Sequence, residues 1–123
     1  MKLDSEVTLQ ELKLQLAQFR DRRNWHKFHD AKNLSEAISI EASELLELFL
    51  WRSPSEIEKL MRSDCIYRKN VERELADIFC FCLNLANAIN LDISSAVQDK
   101  IKENNQKYPI SKSKGKATKY TQL

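Results

Sequence analysis

At 123 residues, with a net charge of +2 and a mean hydropathy of −0.53, the chain is one domain long enough for a core and has no stretch apolar enough to span a membrane. One glycine and two prolines beside abundant Leu, Ala, Glu and Lys favour helices throughout, and the only glycine, Gly115, rules out a glycine-rich phosphate loop. The charge is uneven: residues 107–123 hold five lysines and no acid, so the preceding body is mildly acidic and the tail basic.

Thr8-Leu-Gln-Glu11 reads as a capping box, and Leu9, Leu12, Leu16 and Phe19 give a helical stripe to about Asn24. Arg20, Arg22 and Arg23 suit the negative pole at its end better than they suit a bound phosphate. The connector 25–33, Trp-His-Lys-Phe-His-Asp-Ala-Lys-Asn, lacks the Gly, Ser or Pro of a plain linker. Alone, Trp25 and Phe28 suit the closing of a bundle end; beside two acid pairs that need a substrate, a wall against a nucleobase is the better reading, with Lys32 or His29 meeting phosphate or base edges.

Asn33 is expected to cap the second helix, with Ile38, Ala42, Leu45 and Phe49 as its buried stripe. Trp51, seven residues past Glu44, is expected two turns further along the same face, overlooking any site there. Ser53-Pro-Ser-Glu56 stops this helix and caps a short third one ending near Arg62. A fourth runs from about Cys65 to Ile89, and Asn90-Leu-Asp92 breaks the chain before a fifth that reaches about Gln106. Tyr108-Pro109 ends that helix, and a mobile Ser/Lys-rich tail, 110–123, is expected beyond a helical domain of residues 1–109. Cys65, Cys80 and Cys82 are odd in number, and the last two point to opposite helix sides. They are expected as small core residues of a reducing cytosol in a chain that opens without a signal peptide.

The chemistry concentrates on two helices. Glu74 and Asp77 open a nearly all-apolar run, Glu74-Leu-Ala-Asp-Ile-Phe-Cys-Phe-Cys-Leu-Asn-Leu-Ala86, and share a stripe with Phe81 and Asn84. Val71, Leu75, Ile78, Cys82, Leu85 and Ile89 form the stripe beside it, so the acids are expected in or near the interior, where a carboxylate needs a proton, a cation or a metal. Glu41 and Glu44 repeat the three-residue spacing upstream. Two such helices meeting antiparallel enclose four carboxylates, a cluster that repels itself unless a hard divalent cation fills it, and Mg²⁺ suits best. Glu47 stands open between surface charge and supporting ligand. Di-iron chemistry is disfavoured because both histidines lie in the connector, away from any Glu-x-x-His pair.

Glu41-x-x-Glu44 followed by Glu74-x-x-Asp77 resembles the metal motif of the all-α MazG-type nucleoside triphosphate pyrophosphohydrolases. The likeness extends through Asn24-Trp-His-Lys-Phe-His29, Lys32-Asn-Leu34, Leu48-Phe-Leu-Trp51, Lys100-x-x-x-Asn104-x-x-Lys-Tyr-Pro109 and Lys119-Tyr-Thr-Gln-Leu123. The dCTP pyrophosphatase-like branch is the nearest. The resemblance implies a MazG-like bundle of four to five helices, assembled as a homodimer or homotetramer with sites at subunit interfaces. It implies Mg²⁺-dependent hydrolysis of a (deoxy)nucleoside triphosphate, dCTP or a modified dCTP foremost, to monophosphate and pyrophosphate. Glu41, Glu44, Glu74 and Asp77 would hold the metal, with Glu44, or else Glu41, activating water. Trp25, His29, Asn33 and Trp51 would line the base and sugar pocket with Phe81, while Lys100, Asn104, Lys107 and Tyr108 would meet the phosphates. Phe81 departs from the branch, which often has Tyr there, so a hydroxyl contact is lost. The rival readings are the same chemistry on dUTP or another non-canonical nucleotide, or a nucleic-acid- or protein-binding module using the basic tail.

Overall fold

The computed structural model describes residues 1–123 and is all-α: α1 (Leu9–Asp21), α2 (Ala31–Phe49), α3 (Pro54–Ser63), α4 (Cys65–Ala88), α5 (Ile93–Lys107) and a one-turn α6 (Ile110–Ser113). Single 3-10 turns lie at His26–Phe28 and Tyr120–Gln122. The helices divide into two compact units, residues 1–90 and 91–123.

In the first unit each helix begins where a short polar side chain reaches a free backbone N–H. Thr8 and Glu11 form the expected capping box, with Glu11 N–H donating to Thr8 Oγ1 at 3.1 Å and Thr8 N–H to Glu11 Oε2 at 2.7 Å. Ser53 and Glu56 repeat it on α3, with Pro54 in the first turn. Asp64 caps α4, its Oδ1 accepting from the N–H groups of Ile66 and Tyr67. The cap of α2 is Asp30 rather than Asn33. Its Oδ1 accepts from Asn33 N–H at 2.9 Å, so the helix starts most of a turn earlier than expected.

The long α4 packs against α2, α1 and α3. The Tyr67 hydroxyl donates to the Leu48 carbonyl at 2.8 Å, and Phe49 meets the Tyr67 ring edge-on. The start of α4 therefore lies beside the end of α2, and the two run antiparallel. Asn87 Nδ2 donates to the Lys13 carbonyl at 3.0 Å near the far end of α4, tying it to α1. Full burial is confined to Leu34, Tyr67, Leu83, Asn84 and Ala86. The stripe expected to be packed is only partly so, since Leu75 is 49% exposed and Ile89 52%. Phe79, Ile40, Leu46 and Ile66 also face outward, leaving a single chain with more apolar surface than its core uses.

In the second unit Asp92 Oδ1 accepts from Ser95 N–H and caps α5. The tail after Pro109 is not featureless. It forms α6, then returns so that Tyr120 meets the Tyr108 ring edge-on, with Lys107 Nζ 5.1 Å from the Tyr120 ring centre.

Candidate active site

The antiparallel contact of α2 and α4 brings the two acid pairs together. Glu41, Glu44 and Glu74 each place a carboxylate oxygen within 4.8 Å of the others. Asp77 completes the group electrostatically: the Glu41 carboxyl is pushed above its usual value first by burial, then by the charges of Glu44, Asp77 and Glu74. None of the four takes part in an ion pair, since the ion pairs of the chain all lie elsewhere. The acids are not interior as their apolar neighbours suggested. Glu41 and Glu74 are half-buried, whereas Glu44 and Asp77 are exposed. The apolar residues around them cover the other sides of α4 and leave this edge open. A set of carboxylates without ion-pair partners, three of them within 4.8 Å of one another, fits a hard divalent cation such as Mg²⁺.

Beside the acids lies a cavity of about 290 Å³ lined by Leu16, Phe19, Trp25, His29, Asp77, Cys80, Phe81 and Asn84. Asp77 belongs to both features. Trp25 is presented by the 3-10 turn and meets Phe19 edge-on at 6.0 Å, while Arg23 stacks on the Phe19 ring at 3.5 Å. The His29 imidazole is held below its normal pKa by burial, then by the charges of Arg20 and His26, which favours the neutral ring. Its Nδ1 is buried without a hydrogen-bond partner. So is Oδ1 of Asn84, a residue only 7% exposed.

Trp25, His29 and Phe81 thus gather where the sequence suggested, and two residues do not. Asn33 directs its amide to Asp30 Oδ2 at 2.8 Å and to the Phe28 carbonyl at 3.2 Å, bracing the connector rather than lining the cavity. Trp51 does not continue the face of Glu44. The helix ends at Phe49, and Trp51 sits beyond it with φ +61°, 93% exposed. Lys32 pairs with Glu36 on the surface of α2.

In the second unit, Lys100, Asn104, Lys107 and Tyr108 share α5 and its C-cap. Lys100 Nζ donates to Glu103 Oε2 at 2.8 Å, and Lys107 Nζ pairs with Glu103 Oε1. These hydrogen bonds and charges bring the Glu103 carboxyl down to about 2. Glu103 thus gathers two ammonium groups, a link that the Lys100-x-x-x-Asn104-x-x-Lys-Tyr-Pro109 motif does not contain.

Phe19, Leu16 and Asn84 also line the cavity, although they lie outside the expected site residues. Asn84 carried a signal: it is the one polar side chain in Cys80-Phe-Cys-Leu-Asn-Leu-Ala86, on the stripe of Glu74, Asp77 and Phe81.

Comparison with known proteins bears on this arrangement. A model of the MazG-like family matches residues 37–123. The dCTP pyrophosphatase 1 of Rattus norvegicus is 36% identical over 118 residues, spanning 96% of this chain and 69% of its own. The protein of the same name from Homo sapiens is 32% identical over 118 residues, with the same shares. The crystal structure of a pyrophosphatase from Archaeoglobus fulgidus superposes with a TM-score of 0.76 at 37% identity, covering 88% of this chain and 99% of that one.

Proposed function

The chain belongs to the MazG-like family, and on that footing we propose that it hydrolyses a deoxynucleoside triphosphate, dCTP or a modified dCTP foremost, to the monophosphate and pyrophosphate with Mg²⁺. The chain is an enzyme of the nucleoside triphosphate pyrophosphohydrolase class. The observation that carries the proposal is the adjacency of two features: a cluster of uncompensated carboxylates, and an aromatic cavity that shares Asp77 with it.

Glu41, Glu44, Glu74 and Asp77 would hold the cation. Bound there, Mg²⁺ supplies charge compensation for the phosphate oxygens and polarises the phosphorus under attack. Trp25 and Phe81 offer faces on which a base stacks, and the apolar walls exclude water from it. Glu44 is the most open of the three clustered glutamates and takes the role of general base, accepting the proton of the attacking water, with Glu41 as the alternative. Lys100, Lys107, Asn104 and Tyr108 serve the phosphates; the two lysines would exchange Glu103 for phosphate oxygens.

A second copy of the chain completes this reading. The outward-facing Phe79, Leu75, Ile40 and Leu46 supply apolar surface for a homodimer or homotetramer. Trp51, exposed and absent from the cavity lining of its own chain, then becomes available to close a site on another copy. Localisation in the cytoplasm is part of the same proposal.

The test is product analysis with purified protein, Mg²⁺ and each canonical dNTP, 5-methyl-dCTP and dUTP. The expected result is monophosphate plus pyrophosphate, fastest from a cytosine nucleotide and abolished by EDTA. Inorganic phosphate plus diphosphate, or no turnover of any nucleotide, would overturn the proposal. A dUTP optimum would keep the chemistry and move the substrate.

A further inference from the structure

Two of the residues that line the cavity beside the acids each carry a buried polar atom without a partner: Nδ1 of His29 and Oδ1 of Asn84. Asn84 is the more telling of the two. It lies on α4 between the fully buried Leu83 and the half-buried Leu85, and only 7% of it is exposed. A carboxamide in such a place costs roughly 1–3 kcal/mol when its oxygen is left without a donor. An alanine or leucine would fill the position without that cost, so the polar group there calls for a partner that the chain itself does not supply.

The geometry narrows the partner. Asn84 is seven residues past Asp77, two helical turns along the same stripe, and Phe81 lies between them. A nucleotide with its phosphates at the carboxylates would place its base in this cavity, along the stripe that runs from Asp77 through Phe81 to Asn84. A carboxamide oxygen carries lone pairs and no hydrogen, so it needs a donor. A ring carbonyl in the same place would set two acceptors against each other.

Resting on the proposed function, we propose that Asn84 selects the base: its Oδ1 accepts a hydrogen bond from the exocyclic amino group of a cytosine-type ring seated among Trp25, Phe19 and Phe81. Stacking on the aromatic rings holds any pyrimidine, and the Asn84 contact separates the amino-bearing ring from the keto one. A site built around such a polar contact rejects the analogue that lacks it more strongly than an apolar pocket can.

The experiment measures binding of dCMP and dUMP by calorimetry in EDTA, together with kcat/KM for dCTP and dUTP in Mg²⁺. Both are run on the wild type, on Asn84→Leu and on Asn84→Ser, with circular dichroism to confirm the helical fold. Asn84→Leu replaces the carboxamide by an apolar group of similar size, and Asn84→Ser serves if leucine is not accommodated. The wild type is expected to favour the cytosine ligand by roughly ten- to hundredfold. Either variant brings that ratio close to one, chiefly by losing the cytosine ligand. A ratio unchanged in a folded variant would overturn the inference and leave Asn84 bonded to an ordered water only. A wild type indifferent to the amino group would overturn it as well. Failure of the wild type to cleave any nucleotide would instead sink the proposed function, so the two failures are distinguishable.

Discussion

The Tyr67 hydroxyl donates a 2.8 Å hydrogen bond to the Leu48 carbonyl, and this tie sets the register of the two acid-bearing helices. Glu41 lies seven residues before Leu48 and Glu74 seven residues after Tyr67. Both are two helical turns, about 10.5 Å, from the tie, so antiparallel helices bring them level. The same carbonyl accepts from Arg52 Nε at 3.2 Å, and the Arg52 guanidinium lies 5.4 Å from the Tyr67 ring centre. Tyr67→Phe is expected to cost about 1 kcal/mol of stability in chemical denaturation, because Leu48 keeps only its Arg52 donor. An unchanged midpoint would show that the tie contributes nothing.

The carboxylate cluster weakens the empty fold at neutral pH. The folded protein raises the Glu41 pKa above 4.5, so it favours the protonated form. The stability this group contributes is present below that unfolded value and is lost as pH rises through the higher folded one. In EDTA at pH 7, Glu41→Gln is therefore expected to melt above the wild type. Mg²⁺ should raise the wild-type Tm more than that of the variant. A lower Tm for Glu41→Gln in EDTA would contradict the account.

His29 has the opposite sign. Burial first, then Arg20 and His26, hold its pKa below 6.5. Its contribution is complete above that value and is lost as pH falls through the lower folded one. Arg20→Gln is expected to move the His29 titration upward in a proton NMR pH series. A midpoint that stays in place would mean that Arg20 is not felt at the ring.

The connector that presents Trp25 and His29 is fastened by Asp30. Asp30→Ala removes the α2 cap and the acceptor for the Asn33 amide together, and is expected to cost about 1 kcal/mol in thermal unfolding. It should also weaken nucleotide binding, because the ring-bearing turn loses its anchor. A variant as stable as the wild type would return the cap to Asn33.

These residues also show what the sequence made legible. The grouping of Glu41, Glu44, Glu74 and Asp77 is legible because a three-residue spacing on a helix places side chains on one face, whatever surrounds them. Their exposure is not legible, because an apolar run fixes only how much apolar surface a helix carries. Leu75 and Phe79 carry theirs outward in the single chain. Asp30 and Asn33 are both good caps, and the choice between them rests on the 3-10 turn before them, which has no period to read. The expected place of Trp51 requires a helix that in fact stops at Phe49, two residues short. Asn84 sat in plain view on the right stripe, yet only the unpaired oxygen sets it apart from an ordinary core amide.

The most direct test of the account is pyrophosphate release from dCTP in Mg²⁺ by Glu74→Gln, beside wild type of equal helical content. Glu74 joins the cluster from α4, and its loss breaks the meeting of the two acid pairs without touching the aromatic cavity. The account predicts that release falls by about a thousandfold or more, the scale of losing a principal electrostatic contributor to catalysis. Release at the wild-type rate would place the chemistry elsewhere and remove the carboxylate cluster from it.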